Sequence, residues 1–167
     1  MNNSIKKSTY FIYFSLLVLT CISFVFTNIG YDSEYQLAMA YRMIQGDSLI
    51  TQMWEPHQTS AFLCAILMKL YIWITGTTTG IVLFTQFAGL FIRTIISIFL
   101  FKTVKEISGE LPALISGLIF FLISPKDLLT PEFSNMQLWF GMLVLLTLTR
   151  YLRKKNLLFL ILSEICL

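Results

Sequence analysis

Charge is what this sequence has least of. Lysine, arginine, aspartate and glutamate make up 13% of its 167 residues, against 56% hydrophobic. A soluble globular domain carries about 25% charge, so an ordinary soluble enzyme is excluded. Histidine occurs once, at position 57, and proline four times. Three cysteines, Cys21, Cys64 and Cys166, all fall inside apolar runs, with no CxxC and no Cys/His ligand spacing. That excludes a disulfide framework and a zinc site, and leaves the thiols as small buried groups. Internal repeats and low-complexity segments are also missing. The formal charge of +3 comes from lysines and arginines bordering apolar runs, which excludes a nucleic-acid surface.

Long apolar blocks stand in place of charge. Residues 10–28 (YFIYFSLLVLTCISFVFTN) run for 19 positions without one, close to the roughly 20 that cross about 30 Å of hydrocarbon. Lys6 and Lys7 precede this run and no small-x-small cleavage site follows, so it reads as an uncleaved anchor. Residues 81–101 form a second full-length block, broken only by Gln86 and Arg93. Residues 59–75 are shorter and contain Lys69, while 111–124 and 136–149 reach crossing length with a few flanking residues. A sixth block, 157–167, has eleven residues and rises about 16 Å, half the hydrocarbon thickness. It reads as a helix cut short, which would make residues 1–167 a single integral membrane domain forming the N-terminal part of a larger module. The fold expected is all-α: a polytopic transmembrane helical bundle of five to six apolar segments.

Basic residues mark the cytoplasmic side. Three clusters stand out: Lys6/Lys7, Lys102/Lys105 and Arg150–Arg153–Lys154–Lys155. With all three inside the cell membrane, the N-terminus is cytoplasmic and the loops 30–58 and 125–135 lie outside. Residues 59–75 then cannot cross fully, and their Lys69 suits a re-entrant or interfacial helix. The competing scheme lets 59–75 cross and puts Lys102 and Lys105 outside, against the charge rule. In the first outer loop, Ser33 and Gln36 have capping-box spacing and Gly46 is a natural stop. Residues 33–45 are therefore expected as an amphipathic helix on the membrane surface, with Leu37, Tyr41 and Ile44 on its apolar face. Trp54, Trp73 and Trp139 fall near expected interfaces, as an aromatic belt would.

The outer loops gather the chemistry-bearing residues: Asp32, Glu34, Glu55 and His57 in the first, Asp127, Glu132 and Asn135 in the second. An ionised carboxylate there can accept a proton from an attacking hydroxyl or hold a divalent cation against phosphate. Asp32 stands at a helix start, where the dipole favours its charge. The same residues also have plainer uses, as helix caps and solvated turns. Glu55 and His57 flank Pro56, which stiffens the backbone between them into a metal or phosphate contact. Arg93 lies deep in an apolar block, and such a charge faces protein, a polar cavity or a lipid phosphate.

This layout resembles the GT-C glycosyltransferases, which use polyprenyl-phosphate-linked sugars and include protein O-mannosyltransferases and lipid A aminoarabinose transferases. The stretches that carry the resemblance are "YDSEYQLAMAYRMIQGD", "WEPHQTSAFLCAILMKLYIWITG" and "SPKDLLTPEFSN", with Arg93 between the last two. The resemblance covers about residues 10–160, although the usual double proline is here Pro56 followed by His57. It implies that Asp32 is catalytic, with Glu34 assisting. Glu55, His57 and Arg93 would contact the donor phosphate or a divalent metal ion. Glu132, Asp127 and Asn135 would supply the acidic and polar groups of the second loop. The implied partners are membrane lipid and a polyprenyl-phosphate sugar, with other membrane subunits alongside. The implied reaction is sugar transfer to a cell-envelope acceptor on the outer face. A non-enzymatic alternative is a small membrane subunit of a transporter or envelope assembly complex, its acidic loop binding a partner or cation.

Overall fold

The structure is a computed structural model that describes residues 8, 10–13, 15–17, 19, 23, 25–26, 31–53, 58–123 and 129–167. The described positions from 8 to 25 are all helical and are named α1. Six longer helices follow: α2 (Tyr31–Gln45), α3 (Ala61–Thr75), α4 (Ile81–Ser108), α5 (Glu110–Leu122), α6 (Phe133–Lys154) and α7 (Leu157–Ile165). A 3-10 turn at Gln58–Ser60 leads into α3, and the described residues contain no β-strand. The all-α expectation holds. Among the described residues α4 alone is long and apolar enough to cross a membrane, while α3 and α5 are apolar but shorter.

Several helices carry an exposed apolar stripe. On α4 the exposed side chains include Leu83, Phe87, Phe91, Ile95 and Ile98, which recur at helical spacing along one stripe. Its buried side chains mix the polar Thr85, Gln86, Arg93, Ser97 and Thr103 with Leu90, Ile96 and Leu100. On α5 the exposed stripe is Leu111, Ile115, Ile119 and Leu122; on α3 it is Phe62, Ile66, Leu70 and Trp73. In water, large apolar surfaces of this extent are rare.

The chain gathers into two compact units. Unit 1 comprises Met1–Phe26, Arg93–Ile123 and Trp139–Leu167; unit 2 comprises Thr27–Ile92 and Ser124–Leu138. The helices α4 and α6 each supply residues to both units. Charge divides the same way. Unit 1 holds nine of the twelve bases and three of the nine acids, and unit 2 the remaining three bases and six acids.

Unit 2 is built on α2 against α3. Leu37, Met39 and Ala40 pack on Ala61, Cys64, Ala65 and Met68, with Ile81 closing the cluster. The small residues let the backbones approach closely. At the end of α3, Gly76 takes the left-handed conformation (φ 68°) and its N–H donates to Ile72 O at 2.8 Å. Tyr71 then donates to Thr79 O at 2.6 Å and stacks on Phe84 with ring centroids 4.8 Å apart, so the chain reverses into α4. Gly80 must be small as well as left-handed, because a Cβ there would meet the Tyr71 hydroxyl at 3.1 Å.

Unit 1 brings distant basic segments to one end. Tyr10 donates a hydrogen bond to Glu110, and Lys105 pairs with the same carboxylate at 3.7 Å. Glu106 pairs with both Arg150 and Lys154 at 3.3 Å. The start of α1, the ends of α4 and α6 and the start of α5 therefore meet. Further along, Ser97 donates to Gly117 O at 2.8 Å, and a Cβ on Gly117 would stand 3.2 Å from the Tyr13 hydroxyl.

Candidate functional site

The first turn of α2 carries Asp32, half-buried, and Glu34, exposed. The helix spans Tyr31–Gln45, against the 33–45 expected, and Gly46 follows it with φ 99°. Two details differ from the sequence reading. Ser33 lies inside the first turn, so the capping box does not form, and its buried Oγ has no hydrogen-bond partner. Tyr41 is exposed; the buried face is Ser33, Gln36, Leu37, Met39 and Ala40, which turns the helix toward α3. Gln36 accepts a hydrogen bond from Ser60 Oγ at 3.2 Å. Beyond the helix, Arg42 holds the following loop, donating to Asp47 Oδ2 at 2.7 Å and to Gln52 O.

Glu132 and Asn135 have a definite local role. The N–H of Ser134 donates to Glu132 Oε2 at 3.0 Å and that of Asn135 to Oε1 at 2.8 Å, so the carboxylate caps α6. Asn135 Nδ2 donates back to Thr130 O at 2.8 Å. Both residues are fully buried. Asp32, Glu34, Glu132 and Asn135 all belong to unit 2. Arg93 is also fully buried, midway along α4 and at the first position of its unit 1 portion. Glu55, His57, Asp127 and Trp54 lie outside the described residues. Trp73 is exposed as an interfacial ring should be, but Trp139 is buried, with its Nε1 unpartnered. It serves packing inside unit 1, where periodicity alone could not separate a buried from an interfacial indole.

Among the described residues no three His, Cys, Asp or Glu side chains converge as metal ligands. A shallow groove of about 200 Å³ lies between α2 and α3, lined by Met43, Ile44, Phe62, Ala65, Ile66 and Lys69. Its surface is almost wholly apolar. The sequence reading missed the Glu106 cluster, since pairing over 44 residues leaves no local signal. Compared with protein-family models, curated proteins and solved structures, the chain matches none.

Proposed function

We propose that the chain is a polytopic membrane glycosyltransferase of GT-C type, with its acidic loops facing outward. The apolar stripes exposed on α3, α4 and α5 support the membrane placement, because a soluble chain would have to hydrate them. The division of charge supports the orientation. Unit 1 holds every basic cluster, and the positive-inside rule assigns that unit's charged end to the cytoplasm. The contact of Tyr10 with Glu110 favours the scheme in which residues 59–75 do not cross, since the chain start and Lys105 then share a side.

The enzymatic reading rests on one observation: Asp32 stands half-buried in the first turn of α2, at the start of the acidic unit. There its carboxylate takes the proton of an acceptor hydroxyl. The freed oxygen pair bonds to the anomeric carbon of the donor sugar, and the bond from that carbon to the phosphate oxygen breaks. Polyprenyl phosphate leaves with the bonding electrons, and Asp32 returns its proton to water. Glu34 on the same turn keeps a second negative charge beside the acceptor. Glu132 and Asn135 hold the start of α6 rather than the reacting atoms.

The test is sugar transfer from a polyprenyl-phosphate sugar by membranes carrying the chain, with and without Asp32→Asn. Loss of a general base lowers the rate about 100-fold or more, at unchanged membrane abundance. An unchanged rate removes Asp32 from the mechanism. Absence of donor binding together with co-purification of a larger permease would favour the small-subunit reading instead.

A further inference from the structure

The corner between α6 and α7 is unusual in its chemistry. Only Lys155 and Asn156 separate the two helices. Lys155 closes α6 in the left-handed conformation (φ 52°), its N–H donating to Tyr151 O at 2.7 Å. This is the position where glycine or asparagine normally stands, because a Cβ there costs about 1–2 kcal/mol. Asn156 then starts α7, its side chain accepting from the Leu158 N–H at 3.0 Å. A residue held in a costly conformation by well-formed hydrogen bonds on both sides points to a use for its side chain. That side chain is an exposed ammonium 5.8 Å from the Tyr151 ring.

The cations at this end outnumber the carboxylates that face them. Glu106 takes up Arg150 and Lys154, and Glu110 takes up Lys105. Arg150 is further fixed by Thr103 Oγ1 at 2.9 Å and by the Phe99 ring. Arg153 and Lys155 are exposed; Arg153 acts on the same Glu106 carboxylate, which thus faces three cations, and Lys155 pairs with no carboxylate among the described contacts. Directly beside them, Leu152, Leu157, Leu158 and Ile161 are exposed and apolar. An excess of cations bordered by apolar side chains matches the layered chemistry of a bilayer surface, phosphate outside and hydrocarbon beneath.

We propose that Arg153 and Lys155 form a docking site for the phosphate headgroups of anionic phospholipid, with the exposed leucines of α6 and α7 lying against the acyl chains. The site lies at the end of unit 1 assigned above to the cytoplasm, and so rests on the membrane reading but not on the enzymatic one. The strained Lys155 supplies a separation that a surface charge seldom offers. Replacing it with glycine removes the cation and relieves the backbone, so binding and stability move in opposite directions.

The experiment uses the purified chain in neutral detergent, titrated with phosphatidylglycerol or phosphatidylcholine, reading bound lipid and melting temperature. Phosphatidylglycerol binds preferentially, and 0.5 M salt weakens it, roughly as expected for a surface contact. Lys155→Gly and Arg153→Gln each lower that affinity about fivefold, while Lys155→Gly leaves the melting temperature unchanged or higher. Lys69→Gln, a control in the other unit, leaves binding unaltered. Equal binding of the two lipids, unchanged binding in both corner variants, or displacement by millimolar glycerol phosphate would overturn the proposal. A chain that stays dispersed without detergent would instead remove the membrane reading itself.

Discussion

A carboxylate whose two oxygens each accept a backbone N–H has little freedom left for proton transfer. Glu132 is such a group, buried at the start of α6, which is why its proposed role is to hold that helix end. Glu132→Ala is expected to cost about 1–3 kcal/mol, because two buried donors lose their acceptor. Glu132→Gln, which keeps one acceptor oxygen, should cost less. Thermal unfolding in detergent measures both, and Asp32→Asn should leave the melting temperature nearly unchanged in the same assay. A large stability loss on Asp32→Asn would show that Asp32 is structural too.

At the scale of elements, the ends of α4 and α6 are joined through Glu106. The hydrogen bond from Lys154, aided by the charge of Arg150, holds the Glu106 carboxyl below its ordinary value despite some desolvation. A depressed carboxylate stabilises the fold above its unfolded pKa, about 4.3, and loses that contribution as pH falls through the lower folded value. Acid should therefore loosen this junction below about pH 4, and Glu106→Gln should flatten that part of the profile. Hydrogen exchange along 103–106 and 150–154, measured between pH 3 and 6, checks it. The pair is exposed, so its effect is local. The same junction carries Arg150 over Phe99 and Phe159, with ring distances of 5.0 and 5.9 Å, which fastens α7 to its neighbours.

For the whole molecule, the question is which loops share a side. Single cysteines placed at Ser8, Ser108 and Asn156, with the native thiols changed to serine, should react with an impermeant maleimide only after permeabilisation. Cysteines at Thr51 and Thr78 should react from outside. The reasoning is that Tyr10–Glu110 and Glu106–Lys154 tie the first three regions to one end of unit 1. Outside labelling of Ser108 and Asn156 together with inside labelling of Thr78 would mean that residues 59–75 cross.

Much of the helical layout follows from the chain itself. Uncharged blocks dictate helices, since a backbone surrounded by apolar side chains must satisfy its own hydrogen bonds. Gly46 and Gly76 mark helix ends because only glycine enters the left-handed region freely. The acidic first turn of α2 and the three basic clusters could likewise be read off directly. Packing decided the rest. Periodicity offered Leu37, Tyr41 and Ile44 as the apolar face of α2; Leu37 and Ile44 pack in the core with α3, but Tyr41 is exposed and Ser33, Gln36 and Ala40 are buried. Trp139 went to the interior of unit 1, and Ser33 lost its capping role because α2 starts two residues before it. Glu106 found partners more than 40 residues away, and Lys155 a costly backbone angle. Local sequence sets where helices begin and end; which side of each is covered depends on neighbours far along the chain, and no local pattern encodes that.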